Sequence, residues 1–526
     1  MLASSQVVYE TLVDVLMTQH ALRPGAGFQA RALEVSERAR ARSLLEMMLG
    51  GASGGAGGPE GALLDQTRDL QRRLGVKARA LDAAQRARNE ALVASLRRDI
   101  DELSDQLALL DGRMRRARSS GSIAASPEPL TLSAIRAEVL DQQTILVEYV
   151  LSDPSSYAFV VSREAIAGHR LAPRKTIEDA AAALQKAIAV PPATSPGRRA
   201  ALDAAAESLG DLLLGPVRGV APGRRLLIVA PGMLQQIPFA ALTVPGASQR
   251  LIDRNEIVQA PSASVVAASR RARASRPSPA RAVAIFADPV YDAADPRVVR
   301  ARAAPPQGKE GADEPVTLLG RAVSSLQGAD DRSGLSRLPF TRREAEAIAA
   351  LAPPGSVRVA TGFGATLAAV TDPSLADYRI VHFATHGLLD ARTPELSGLI
   401  FSLVDETGAP LEGYLRLRDL GRLHLNADLA VLSGCETGLG RSVGGEGVIG
   451  LTRGFTLAGA RAVVASLWKV DDLATADLME RFYRGLLVQH LPAPAALRQA
   501  QRQMAASETW SDPYDWAGFV IQGEWR

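Results

Sequence analysis

The sequence predicts an α/β protein organised around a mostly parallel sheet with helices on both faces, preceded by a second α/β half and an all-helical N-terminal arm. Two apolar, β-branched runs carry the first part of that expectation, Ile380-Val-His-Phe-Ala-Thr-His386-Gly387 and Ala430-Val-Leu-Ser-Gly-Cys435-Glu-Thr-Gly438. Near-continuous apolar runs are what strands buried on both faces look like. Both runs break into small and polar residues at their C-terminal ends, where open α/β sheets collect their chemistry. The alternation of such runs with helical stretches after residue 130 supplies the second observation. The third is the strand-free, helix-forming composition of the first 116 residues.

Taken in order, residues 5–20 and 27–49 read as two helices, the second without internal Gly or Pro. Gly50 to Pro59 is a Gly-rich linker or loop. From Leu63 to Arg116 the chain is helical again, and Leu96, Ile100, Leu103, Leu107, Leu110 and Met114 step by four and three, the spacing of a coiled-coil seam. Leu63, Leu70, Leu74 and Leu81 hold a similar register, so an antiparallel hairpin or one long helix fits. Such a seam serves packing or a partner surface. Arg118 to Pro129 is a linker by composition, which sets the arm at 1–125.

A first α/β half, 130–268, contains a helix near 132–141, strands at 144–150, 157–161 and 225–230, and helices near 176–190 and 198–214. An Arg/Ser/Pro/Ala stretch, 269–280, is expected to separate it from a second half, 281–526. That half reads as a strand at 282–286 ending in Asp288-Pro289, a long loop to Leu338, a helix at 341–352 and a strand at 357–360. The His386 and Cys435 strands follow, then strands at 462–467 and 519–522. Between His386 and Cys435, the runs at 399–404 and 413–415 look like a hairpin at the sheet edge.

Composition narrows the function classes. The 526 residues are 47% apolar and 22% charged, the profile of a globular chain too long for one ordinary core. An isoelectric point near 9.1 invites nucleic acid, yet the net charge is only +3. Arginines are dispersed among Ala and Gly with few aromatics to stack bases, so no nucleic-acid partner is expected. Cys435 is the sole cysteine, which excludes an intrachain disulfide and a cysteine metal cluster. With no basic-then-apolar leader at Met1-Leu-Ala-Ser-Ser-Gln and no apolar run of about 18 residues, the expectation is a cytoplasmic protein with no membrane contact and no cofactor.

His386 and Cys435 are candidates for a thiol dyad. A neutral thiol is a poor nucleophile, and an imidazole makes the thiolate available and later protonates the leaving amine. Their separation of 49 residues (435 − 386) leaves room for a crossover, and a His about 50 residues before a nucleophilic Cys is the caspase spacing. Gly387, lacking a Cβ, can present its N–H to a developing oxyanion, with the N–H of Cys435 as a second donor. Asp471 and Asp472 follow the next strand, and either can cap the helix 473–487 or meet a substrate.

Other chemistries fit less well. Cys435-x5-Arg441-Ser442 matches a phosphatase loop, but Glu436 would set a carboxylate beside a phosphate dianion. The nucleophile-elbow pattern fails because Ser433 and Thr437 stand where it needs glycines. His382 and His386 form His-x3-His, yet on a strand they lie about 13 Å apart and cannot share zinc, so no metal is expected. His382 reads instead as a packed or supporting residue.

The segments His382-Phe-Ala-Thr-His386-Gly387, Leu432-Ser-Gly-Cys435-Glu-Thr-Gly438 and Ala465-Ser-Leu-Trp468-Lys-Val-Asp-Asp472 resemble the signatures of the CHAT domain family, caspase-like proteins related to separases. Arg225 to Ala241 resembles the family's first half, so the resemblance covers roughly 130–526, and the opening helices resemble the tail of a tetratricopeptide array. It implies a caspase-like catalytic half, a catalytically silent half before it, and a cysteine endopeptidase acting on a protein substrate through His386 and Cys435. The seam at Leu96–Met114 and the tetratricopeptide-like start add the expectation of an arm that meets a regulatory protein. In separases an acidic residue after the equivalent strand holds an arginine, which implies the same service from Asp472. A catalytically silent scaffold for protein partners is the alternative.

Overall fold

The computed structural model describes residues 2–50, scattered positions between 66 and 106, and residues 130–192, 197–274, 276–298, 335–388, 397–434, 440–442 and 448–526. The arm opens with two helices, α1 (Leu2–Leu22) and α2 (Phe28–Gly50). Beyond them Lys77 ion-pairs with Asp99 at 2.8 Å. Twenty-two residues of one straight helix would hold those groups about 33 Å apart, so the contact favours an antiparallel hairpin. Of the expected seam, Leu96 and Leu103 are buried. Ile100, Leu107, Leu110 and Met114 lie outside the described residues.

Sixteen strands follow among the described residues: β1 (Thr144–Val150), β2 (Ser156–Val161), β3 (Ile166–Leu171), β4 (Arg225–Val229), β5 (Glu256–Ala260), β6 (Arg281–Ala287), β7 (Val357–Thr361), β8 (Tyr378–Ala384), β9 (Gly387–Leu388), β10 (Gly398–Ile400), β11 (Tyr414–Arg416), β12 (Leu429–Leu432), β13 (Gly440–Ser442), β14 (Val448–Gly450), β15 (Ala462–Ser466) and β16 (Phe519–Gly523). Eleven of them form one sheet in the order β3-β2-β1-β4-β5-β16-β15-β12-β8-β6-β7. Antiparallel pairs are confined to β1–β2, β2–β3 and β15–β16, so the sheet is mostly parallel, as the sequence predicts. Strands from 130–268 and from 281–526 share this sheet, with β16 seated between β5 and β15.

Helices cover both faces: α3 (Arg174–Ile188), α4 (Arg198–Leu214), α5 (Ala263–Ala274), α6 (Phe340–Leu351), α7 (Leu451–Leu457), α8 (Asp472–Tyr483) and α9 (Ala493–Ala505). Period-two alternation sorts the strand side chains. Ile380 and Ala384 of β8 join a core with Ile348 of α6 and Leu478 of α8. Val381 and Phe383 join the opposite core with Phe286, Phe401 and Phe455. The Phe286 and Phe383 rings stack 5.6 Å apart. Each such buried side chain is worth about 1.5–3 kcal/mol, more than an exposed ion pair at up to about 1 kcal/mol, so packing sets the height at which neighbouring strands end.

The 269–280 stretch, expected to separate the halves, is helical at its start, because α5 runs through Ala274. Ala and Arg are good helix formers, and the prolines that mark a linker come only after them. The 399–404 and 413–415 runs form not a hairpin alone but the inner and outer strands of a three-stranded sheet, β11-β10-β9. Strands β3 and β5 also escape the sequence reading, β3 because Gly168, His169 and Arg170 interrupt any apolar run.

The arm is seated on the first half by specific contacts. Gln29 of α2 accepts from Gly168 N–H at 3.1 Å and donates to Ile166 O at 3.2 Å. Its amide thereby occupies two positions on the outer edge of β3, the kind of edge that can pair with another chain. Fully buried Glu37 accepts from the N–H groups of Ala263 and Ser264 at 2.8 Å each and caps α5 from outside. Among the described residues no helix is long and apolar enough to cross a membrane.

Candidate active site

Strands β6, β8, β12 and β15 are neighbours and parallel, with Phe286, Phe383, Leu432 and Ala465 in register. Their carboxyl ends therefore open on one crevice, delivering Asp288, His386, Gly434 and the Lys469–Asp472 run. The sequence expects this convergence for three of those four strands.

His386 leaves β8 half-buried, with its ring 5.2 Å from that of Tyr291. Buried Thr385 donates to Ile400 O, so Tyr291 donates to Thr385 Oγ1 at 2.9 Å and accepts from His386 N–H at 3.4 Å. The ring nitrogen Nε2 lies 2.7 Å from Ser336 O. A carbonyl can only accept, so Nε2 carries the proton and Nδ1 is left with the lone pair. Burial, and secondarily the charge of Lys469, hold this histidine below its ordinary pKa, with the Ser336 bond opposing. It is neutral at physiological pH, as a general base must be.

Gly387 is antiparallel to Leu399, and Ile400 N–H donates to His386 O at 3.0 Å. That pattern makes Gly387 and Leu399 a non-hydrogen-bonded pair, so the Gly387 N–H points away from β10. Close to the Gly387 nitrogen lies Gly434, where an added Cβ would sit 3.4 Å from Gly387 N and would collide with Thr385 O. Only glycine permits this approach of two backbones. Ser433 N–H donates to Phe383 O at 3.0 Å, and Ser466 Oγ donates to Gly434 O at 2.5 Å. Gly434→Ala is expected to destabilise the fold by about 1–3 kcal/mol and to lower any thiol-dependent activity more than its melting shift explains. Thermal melts and single-turnover assays on the same preparation check this.

Cys435, the Glu436–Gly438 segment and the Gly444–Gly447 loop lie outside the described residues. The chain is fixed up to Gly434, pressed against the strand that delivers His386.

The two carboxylates after β15 have different partners. Asp471 Oδ1 accepts from Leu473 N–H at 3.0 Å and Ala474 N–H at 2.9 Å, capping α8. Asp472 Oδ2 accepts from Phe340 N–H at 3.1 Å, tying the first turns of α6 and α8 together. Burial raises Asp472 to about 6, helped by the charges of Glu344, Asp471 and Asp288 and opposed by the Phe340 bond.

Beneath the crevice, fully buried His382 faces α6 and α8. Its Nδ1 is 2.9 Å from Tyr483 Oη and its Nε2 is 3.3 Å from Ser433 Oγ. Glu344 Oε1 lies 2.9 Å from the same Nε2, although its carboxylate makes no well-aligned hydrogen bond there. His382 thus supports the end of β12 and is far from sharing an ion with His386. Ser336, Tyr291 and Glu344 escape the sequence reading. Ser336 acts through a backbone carbonyl, which no side-chain pattern signals.

This is an α/β sheet protein with a histidine-bearing crevice at the carboxyl edge of parallel strands. The CHAT domain model matches residues 203–524, and the chain belongs to the CHAT domain family. It is 38% identical over 109 residues to Tetratricopeptide repeat protein 28 of Mus musculus, and equally to that of Homo sapiens. Those matches cover 21% of this chain and 4% of each relative, so the chain spans only a small part of their length. Among solved structures, the separase of a Saccharomyces cerevisiae separase–securin complex aligns over 94% of this chain and 36% of its own, at 9% identity and TM-score 0.47. The Arg-specific cysteine proteinase gingipain R aligns over 66% and 74%, at 9% identity and TM-score 0.33. Likenesses this distant carry no residue roles.

Proposed function

We propose that the protein is a cysteine endopeptidase that cleaves a protein substrate with His386 as general base and Cys435 as nucleophile. The observation that carries this reading is the His386 ring, whose Nε2 proton is committed to Ser336 O at 2.7 Å, on a segment whose flanking Thr385 and Gly387 backbone packs against Gly434, the residue that precedes Cys435. Nδ1 takes the thiol proton and the thiolate adds to the peptide carbonyl carbon. The N–H groups of Gly387 and Cys435 hold the oxyanion. The imidazolium then protonates the departing amine, leaving a thioester that water hydrolyses with His386 again as base. Asp472 is the group proposed to meet the substrate side chain, since Asp471 is occupied in capping α8. Regulation is proposed to come through the arm, because α2 engages the sheet edge and α5 through Gln29 and Glu37.

Because Cys435 is the only cysteine, alkylation by iodoacetamide reports on it alone. The rate is expected to rise with pH at a midpoint well below the ~8.5 of a free thiol, to revert toward that value in His386→Ala, and to track loss of peptide hydrolysis. A free-thiol midpoint insensitive to His386, with no turnover, would leave a non-catalytic scaffold as the function.

A further inference from the structure

We infer that the Asp288–Arg337 ion pair is a positioning device for the general base, an inference that rests on the peptidase reading above. Asp288 follows β6 at the crevice, and its fully buried carboxylate is gripped by three guanidinium groups. Arg337 binds it through two parallel contacts of 2.8 Å, Nε to Oδ1 and Nη2 to Oδ2. Arg342 approaches Oδ2 at 3.0 Å and Arg297 at 2.9 Å. The backbone of Asp288 is also held. Its N–H donates to Thr341 Oγ1 at 3.0 Å, and its carbonyl accepts from Gly362 N–H at 3.1 Å and Arg297 Nη1 at 3.0 Å. Its φ of 48° lies in the left-handed region, which Asp tolerates better than most residues.

Arg337 directly follows Ser336, the residue whose carbonyl meets His386 Nε2. A two-pronged guanidinium–carboxylate pair fixes direction as well as distance, so the clamp on Arg337 fixes the orientation of the peptide group one residue before it. The consequence reaches the ring. With Ser336 O in place, the proton stays on Nε2 and Nδ1 is the basic nitrogen, and the same carbonyl stabilises the imidazolium that forms with the thiolate. Without it, the ring is free to turn or to hold its proton on the wrong nitrogen. The ionisable groups bearing on the ring are Lys469 and Tyr291, and Tyr291 in turn feels Asp288 and Arg297.

The test uses the whole chain and two readouts, kcat against KM and the pH midpoint of Cys435 alkylation by iodoacetamide. Arg337→Gln is expected to lower kcat about tenfold or more with KM within about twofold, and to move the alkylation midpoint up by about half a unit or more. Arg337→Lys keeps the charge without the fork and should fall between parent and Arg337→Gln. Arg342→Gln weakens the same carboxylate site without the chain link to Ser336, and is expected to lower the melting temperature while leaving the alkylation midpoint in place. Asp288→Asn is the more drastic variant and is read only if it melts cooperatively. The inference is overturned if Arg337→Gln keeps the parent midpoint, or if Arg342→Gln moves it equally. Should the parent midpoint be low and dependent on His386 while Arg337→Gln changes nothing, the positioning role fails and the dyad stands. A parent midpoint of a free thiol, indifferent to His386→Ala, removes the dyad and the positioning role together.

Discussion

Replacing Cys435 with alanine is expected to abolish peptide hydrolysis, and His386→Ala to lower kcat/KM by about a thousandfold or more, within or beyond the range for removing a positioned acid–base group. Neither change should move the melting temperature far. His386 is half-buried, and among the described residues its ring makes a hydrogen bond to Ser336 O and lies 5.2 Å from the Tyr291 ring, so its loss removes little packing. The two positions act as a unit, and the double variant should be no worse than Cys435→Ala alone. Active-site titration with purified parent and variants, alongside calorimetric melts, checks both halves. Turnover retained by Cys435→Ala would end the thiol mechanism. A large melting loss in His386→Ala would instead make that residue a structural support.

The parts of this site legible in the sequence are those written in side chains and strand periodicity. The runs at 380–387 and 430–438 announce strands because β-branched and aromatic residues end in small ones, and the parallel register of β8 with β12 follows. Gly434 is legible as punctuation, but its reason, the collision an added Cβ would make with Thr385 O, is a contact between distant chain segments. Ser336 is invisible for a plainer cause. It contributes a carbonyl, which every residue has, and the adjacent Arg337 reaches Asp288, 49 residues away in the chain. The Gln29 plug on β3 links residues 137 apart, beyond any local pattern. The helical start of 269–280 has the opposite origin, since Arg, Ala and Ser suit both a helix end and a linker, and only packing decides.

Local rules also anticipate the division of labour between the adjacent carboxylates. One Asp before a helix is a natural cap, and Asp471 takes that position with two N–H donors. Its neighbour is then pushed into the first turn, where it reaches across to Phe340 and shares the space with Glu344 and Asp288. Burial, with a smaller contribution from crowding by like charges, is what raises Asp472, and groups shifted in this way concentrate at functional sites.

A preference for Arg or Lys immediately before the cleaved bond is the expected consequence, carried by Asp472 and dependent on pH. The folded pKa of about 6 stands above the ordinary 3.8, so the group is charged above about pH 6 and neutral below it. Selectivity for a basic over a neutral side chain should be full at pH 7.5, about a hundredfold for a partly desolvated pair, and should fade as pH falls through about 6. The stability effect has the opposite sign. A raised carboxyl pKa means that ionisation is penalised in the folded state, so stability lost to this group appears as pH rises from about 4 through about 6. Asp472→Asn keeps an oxygen for the Phe340 N–H and removes the charge. It should therefore melt slightly higher than the parent at pH 7.5, match it near pH 4, and lose the basic preference at every pH. A positional-scanning peptide library profiled at pH 5 and 7.5, with parent and variant, reads all of this. A parent that prefers acidic or aliphatic residues, or a profile untouched by the substitution, would reduce Asp472 to the tie between α6 and α8.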